Sequence, residues 1–208
     1  MYYNYSPFNG HSYVDLGLPS GTLWATCNVG ASKPSDAGLY FQWGDTQGYT
    51  ADQVGTGSGQ KEFSSEYSDY KWGVRSNFTK YNANGATLEL EDDAAHINMG
   101  GSWHIPTTDQ INELIDNTTT AWTTSNGVNG IRFTSKKDGS KTIFIPAAGA
   151  TLNGSIDFRG SIGTVQTNMI SAVGSEGYYA LQVSSTGCTL NNYYGSRSAG
   201  TSVRGVAG

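Results

Sequence analysis

A chain of 208 residues with 37% hydrophobic content is long enough to close one ordinary core without disulfides or metals to staple it, which excludes disorder. Only 14% of the residues are charged, against roughly 25% in an average soluble protein, and 28 are glycine, about twice ordinary usage, so the surface must be neutral and polar. Twelve Lys and Arg against seventeen Asp and Glu leave a net charge of -5, which excludes a basic groove for a nucleic-acid partner.

Residues 1–9 read as an N-terminal tail, without the basic start, apolar middle and small-residue cleavage site of a secretory leader. No stretch of eighteen apolar residues and no lipidation signal follows, so membrane insertion is not expected. Residues 10–208 read as a single domain. From Tyr13 to Thr46, short apolar runs alternate with turn residues and predict strands joined by tight turns. Residues 47–87 carry many Gly, Ser, Asn and Tyr but few aliphatic side chains. They predict a loop-rich insertion pinned by Phe63, Tyr67, Tyr70, Trp72 and Phe78.

Two helices are marked. Asp92 and Asp93 place negative charge on the first turn of a short helix that Gly100-Gly101 stops. Thr107 and Gln110 form a capping box before Ile111, Leu114 and Ile115, which share one face. After Trp122 the pattern turns to period two: Ile131 to Thr134, a Lys137-Asp138-Gly139 turn and Thr142 to Pro146 predict a β-hairpin. Clear strands follow at Tyr179 to Val183 and from Thr201 to Val206. Central helices between strand-rich halves, without βαβ repeats, predict an α+β domain.

The usual catalytic anchors are missing. His11, His96 and His104 sit in no zinc-binding pattern, no Gly-x-Ser-x-Gly elbow appears, and no glycine-rich loop ends in Lys-Ser or Lys-Thr. Glu89, Glu91, Asp92 and Asp93 could supply a carboxylate pair, but the helix dipole already accounts for the aspartates. Cys27 and Cys188 read as two small, partly buried thiols rather than a disulfide framework. Trp24, Trp43, Trp103 and Trp122 are expected in the core, and Arg204 is expected to meet a buried acceptor. No enzyme activity and no cofactor are expected, though loop oxygens leave room for a structural calcium.

The tail has a composition with its own physical meaning. Asn168, Ser171, Tyr178, Gln182, Asn191, Asn192, Tyr193, Tyr194, Ser196 and Ser198 are the residue types of antibody contact loops, in which rigid amphipathic rings are mixed with adaptable hydrogen bonders. Strand alternation places Tyr179, Leu181 and Val183 towards the core and Tyr178, Ala180 and Gln182 outwards, so these ten residues form the candidate ligand-binding surface.

Five segments in order then resemble one family over nearly the whole chain. The run from Gly10 to Ala31 followed by Tyr40-Phe41-Gln42-Trp43-Gly44-Asp45-Thr46 is similar to the opening of the Fibrobacter succinogenes major paralogous domain, which is abundant in gut Bacteroidetes and their phages. Gly100-Gly101-Ser102-Trp103-His104-Ile105-Pro106-Thr107 resembles its Gly-Gly-x-Trp-Arg-x-Pro-Thr signature. Ile145-Pro146-Ala147-Ala148-Gly149 resembles its central turn, and Gly200-Thr201-Ser202-Val203-Arg204-Gly205-Val206 its closing strand. His104 stands in place of the usual Arg and Gly205 in place of a common Pro, both tolerable in a scaffold.

The resemblance implies a C-type-lectin-like fold in the form shared with formylglycine-generating enzymes and with variable proteins of diversity-generating retroelements. In the latter, residues equivalent to 150–206 here carry a diversified ligand-binding region, and adenine-rooted codons yield the Asn, Tyr and Ser seen at Asn191-Asn192-Tyr193-Tyr194 and Ser196. It further implies an adhesion module recognising a cell-surface protein or glycan receptor, displayed on a phage tail or virion or on a bacterial surface, with a homotrimer among the assemblies it allows. A structural tail-fibre or pilus subunit is the alternative. An oxidase of the formylglycine-generating type would need a reactive cysteine pair, whereas the tail has Cys188 alone.

Overall fold

The computed structural model describes residues 8–171, 176–193 and 196–208. Turn-forming residues interrupt every apolar run at the start of the chain, so its first strands are short. Strand β1 (Tyr13–Asp15) pairs antiparallel with β2 (Leu23–Ala25), Val14 opposite Trp24, and β3 (Tyr40–Phe41) follows. Within residues 47–87 lies the two-residue hairpin β4 (Gly73–Val74) and β5 (Asn77–Phe78). The insertion is held by its rings as expected: Phe63, Tyr67, Tyr70 and Phe78 are buried, and Trp72 packs against them half-buried.

Asp92 closes a 3-10 turn (Leu90–Asp92), while Asp93 caps helix α1 (Ala94–Met99) by accepting the His96 N–H at 2.9 Å. The helix therefore starts two residues later than the charge pattern predicts. In α2 (Thr108–Asn117) the capping box is complete: Thr107 Oγ1 accepts the Gln110 N–H at 3.2 Å, and Gln110 Oε1 accepts the Thr107 N–H at 2.9 Å. Ile111 and Leu114 are buried, and Ile115 packs beside them.

Strand β6 (Thr118–Ser125) has no counterpart in the sequence reading. It pairs with β7 (Val128–Ser135) from Thr118↔Ser135 to Ser125↔Val128, across an Asn126-Gly127 turn with φ of 49° and 81°. Two left-handed residues twist the chain in the sense that a tight hairpin requires. The predicted partner of β7, β8 (Thr142–Pro146), is present. A small hairpin of β9 (Ala150–Leu152) and β10 (Ser155–Asp157) leads to the long strands β11 (Ile162–Ile170), β12 (Tyr178–Ser184) and β13 (Gly187–Tyr193).

The closing segment, expected as one strand, splits into β14 (Thr201–Ser202) and β15 (Val206–Ala207). The former lies between β11 and β3 in a sheet ordered β13-β12-β11-β14-β3, and the latter pairs with β2. The molecule is thus an α+β assembly of small sheets around two helices. Among the described residues, no helix is long and apolar enough to cross a membrane.

The main core lies between α2 and one face of the five-stranded sheet, where Val165, Leu181 and Val183 meet Trp24, Ile111, Leu114 and Phe133. Leu181 and Val183 point inward, as alternation predicts. The opposite face is not open. Tyr178 and Ala180 pack under Trp43 and Tyr81 in a second cluster, because the 47–87 insertion and the segment before it fold over this side of the sheet. Trp24, Trp43 and Trp103 are fully buried and Trp122 half-buried, as expected of core residues.

Candidate functional site

Three of the ten candidate contact residues are buried by the chain itself. Tyr178 is 0% exposed: its ring stacks on Trp43 with centroids 6.2 Å apart, and its hydroxyl meets Thr201 Oγ1 at 2.7 Å. Ser198 is also 0% exposed, its hydroxyl donating to the Ser64 carbonyl at 2.7 Å while its own carbonyl accepts from Gln42 Nε2 at 2.9 Å. Ser171 is buried, and its N–H donates to the Gly177 carbonyl at 3.0 Å. The expectation that these three face a partner is corrected: the insertion covers two of them, Tyr81 packing on Tyr178 and the Ser64 carbonyl taking the Ser198 hydroxyl, which strand alternation within the tail does not reveal.

Ser196 is half-buried and hydrogen-bonded to Ser198 Oγ. Asn168 is half-buried too. Its backbone bridges Pro106 and Leu88, and its side-chain Oδ1 is buried without a partner among the described residues. Gln182 and Asn191 remain together at the surface. Asn191 Nδ2 donates to Gln182 Oε1 at 2.8 Å, and Thr189, cross-strand from Gln182, is exposed on the same face. Thr189 is absent from the sequence-based set because threonine at alternate strand positions carries no functional signal. Asn192 and Tyr193 lie on β13 opposite Tyr179 and Tyr178, whereas Tyr194 falls outside the described residues.

Two buried arginines fix the closing segment, with opposite chemistry. Arg204 lies where the chain passes from β14 to β15. Its Nε donates to Asn28 Oδ1 at 2.8 Å, Nη1 to the carbonyls of Ala25 and Thr26 at 2.9 and 2.8 Å, and Nη2 to the Phe144 carbonyl at 2.9 Å. Burial pulls its pKa down, yet a guanidinium so far above neutrality keeps its charge. Arg197, also buried, donates from Nη1 to the Tyr81 carbonyl at 2.8 Å and otherwise lies among rings of the insertion. Its Nε and Nη2 have no hydrogen-bond partner among the described residues.

The carboxylates of Glu89, Glu91 and Asp92 converge closely enough to suggest a cation site. Lys80 already supplies the cation: Nζ lies 2.7, 3.0 and 2.6 Å from Glu89, Glu91 and Asp92. Burial works against the Asp92 carboxylate, but hydrogen bonds from Lys80, Lys71 and Tyr81 outweigh it and hold its pKa below the usual carboxylate range. Asp93 shifts upward through burial, despite the His96 and Ile105 N–H groups that it accepts. His96 and His104 hold backbone carbonyls through Nδ1, at Trp103 and Ile105. Cys27 and Cys188 are both free and half-buried, and burial pushes the Cys188 thiol up, away from the reactive thiolate.

A cleft of about 700 Å³ lies on another part of the surface, where residues 30–38 face the β6–β7 turn, the Pro146-Ala147-Ala148 turn and Arg159-Gly160. No sequence signal assembles it, since its walls, Ala51 among them, come from five separate stretches of the chain. The chain matches no protein-family model, no curated protein and no solved structure.

Proposed function

We propose that the chain is a non-enzymatic recognition module with a C-type-lectin-like fold, of the kind the Fibrobacter succinogenes major paralogous domain implies. It binds a cell-surface protein or glycan receptor from a phage virion or a bacterial surface. The supporting observation is the outermost strand pair, where the Gln182 and Asn191 amides and Thr189 form an uncharged hydrogen-bonding surface at the edge of the five-stranded sheet. Beneath it the strands are held by Leu181 and Val183 on one face and Ala180 on the other. Such a frame presents polar groups without ordering cost, which is what affinity by preorganisation requires.

The contact set is therefore Gln182, Thr189 and Asn191, with Asn192, Tyr193 and Tyr194 continuing along the chain. Ser171, Tyr178 and Ser198 act in the frame. The test is a combined Gln182→Ala, Thr189→Arg, Asn191→Ala variant, compared with the parent for binding to the host cells that the parent binds. Binding is expected to fall by about tenfold or more with an unchanged melting temperature. Undiminished binding by a folded variant rejects the surface. Sequencing the neighbouring DNA tests diversification separately: a near-duplicate of the last hundred or so bases, differing at adenines and beside a reverse transcriptase gene, is the expected finding.

A further inference from the structure

We infer that Asn84 is a site of spontaneous covalent modification, where the side-chain amide is lost as ammonia and an aspartate or isoaspartate is left in the loop-rich insertion. Asn-Gly is the pair in which this chemistry is easiest, because glycine has no Cβ to keep the asparagine side chain from the next main-chain nitrogen. The chain holds five such pairs, beginning at Asn9, Asn84, Asn126, Asn129 and Asn153. All five offer the same reacting atoms, so the fold decides which of them react.

Four of the pairs are tied down. Asn9 Nδ2 donates to the Met99 carbonyl at 2.7 Å, and Asn126 Nδ2 to Ser35 Oγ at 3.2 Å. Asn129 uses both ends of its amide, donating to the Gly160 carbonyl at 3.0 Å and accepting from Thr124 Oγ1 at 3.1 Å, and Gly130 is held in β7 between β6 and β8. Asn153 Oδ1 accepts the Ser65 N–H at 2.8 Å, while the Gly154 N–H donates to the Glu62 carbonyl at 2.6 Å. A side chain held in this way cannot turn its Cγ onto the next nitrogen without first breaking its bonds, and such misplacement slows an intramolecular attack steeply.

Asn84 is exposed, and neither its amide nor the Gly85 N–H makes a hydrogen bond among the described residues. A single bond of 3.2 Å, from the Ala86 N–H to the Ala83 carbonyl, closes the turn. A methyl group at Gly85 would meet no atom within 4 Å, so the space around the turn is open to a moving side chain. The fixed points lie outside it. Before the turn, the Tyr81 hydroxyl donates to Asp92 at 2.7 Å and the Tyr81 carbonyl accepts from Arg197; after it, the Ala86 carbonyl accepts the Ile170 N–H at 2.9 Å. In the reaction the Gly85 nitrogen attacks Asn84 Cγ. The new Cγ–N bond closes a succinimide, the Cγ–Nδ2 bond breaks, and Nδ2 leaves with the Gly85 proton as ammonia. Water then opens the ring. Attack at Cγ gives aspartate, and attack at the main-chain carbonyl carbon gives isoaspartate, whose backbone runs through Cβ and Cγ. Either product adds one negative charge to the net -5.

The turn shares no residue with the β12–β13 surface, so this test is independent of that proposal. Folded protein is held at about pH 8 and about 37 °C, and chymotryptic peptides taken over time report each site by its mass gain of about 1 Da. Asn84 is expected to convert at least about tenfold faster than each of the other four. In guanidinium chloride the five rates should draw together, because the bonds that separate them are gone. Asn84→Gln should remove the early ammonia release, and the isoaspartate that its methyltransferase labels, with the melting temperature unchanged. The inference is overturned if another pair converts as fast as Asn84 in the folded protein, if Asn84 keeps the same lead in the unfolded chain, or if the variant releases ammonia at the parent's rate.

Discussion

The guanidinium carbon of Arg197 lies 3.6 Å from the centre of the Phe78 ring, inside a box completed by Tyr70 at 5.6 Å and Trp43 at 5.8 Å. The ring comes from the loop-rich insertion and the cation from the closing segment, so one stacking contact ties together parts of the chain that share no strand pairing. A buried cation without a carboxylate is costly, and a desolvated cation–π contact returns about 2 kcal/mol of that cost.

Removing the ring should therefore cost more than removing the charge. Phe78→Ala is expected to destabilise the fold by about 3–5 kcal/mol, through the cavity and the stranded charge together. Arg197→Met, which keeps the volume and removes the ion, should stay within about 1 kcal/mol of the parent. In the double variant, the cost of losing the ring should shrink by about 1–2 kcal/mol, because no charge is then left uncovered. Urea unfolding of the four proteins measures this, and strict additivity would show that ring and cation are not coupled.

Arg204 should respond in the opposite way. Its donors satisfy Asn28 Oδ1 and the Ala25 and Thr26 carbonyls on one segment and the Phe144 carbonyl on another, and a lysine offers a single point of donation in place of that fork. Arg204→Lys is expected to cost about 3–5 kcal/mol by orphaning buried acceptors. Hydrogen exchange should show faster opening at β2 and β15, whose pairing depends on the chain geometry at this residue. A change under about 1 kcal/mol would mean that water replaces the arginine without penalty.

What the sequence made legible was local. The capping box at Thr107 and Gln110, the alternation of Leu181 with Val183 and the ring-pinned insertion all depend on residues close in the chain. Strand β6 carried a legible signal too, the Asn126-Gly127 turn, which the sequence reading left unused. Backbone pairing with β7, rather than apolar content, makes the strand. The candidate surface was only partly legible, for a different reason. Alternation gives the two faces of a strand but not what lies above each, and the distant insertion decided that Tyr178 would be covered while Gln182 stayed half-exposed. The cleft joins five stretches far apart in sequence, so no window of residues could announce it.

Acid should act through Asp92. Its folded pKa lies below the ordinary 3.8, so the charged form is favoured by folding. That contribution is fully present above pH 3.8 and is lost as pH falls through the lower folded value. Asp92→Asn is expected to cost about 1–3 kcal/mol at neutral pH by removing charge-assisted bonds to Lys71, Lys80 and Tyr81. The gap between variant and parent should narrow below pH 3.8. Melting curves from pH 2.5 to 7 check this, and a gap that stays constant across the range would remove Asp92 from the acid response.

The burial of Tyr178 separates a frame residue from a contact residue. Its hydroxyl meets Thr201 Oγ1 at 2.7 Å and its ring stacks on Trp43, so both ends of the side chain are already used inside the protein. Tyr178→Phe keeps the stacking and removes the hydroxyl contact, at an expected cost of about 0.5–1.5 kcal/mol in unfolding free energy. Tyr178→Ala opens a cavity beneath Trp43 and should cost about 3–5 kcal/mol. Cell binding by the Phe variant should equal that of the parent, since the hydroxyl faces β14 and not solvent. If the Phe variant keeps its melting temperature and loses its binding, the tyrosine belongs to the contact surface, and the edge pair of Gln182 and Asn191 is only part of it.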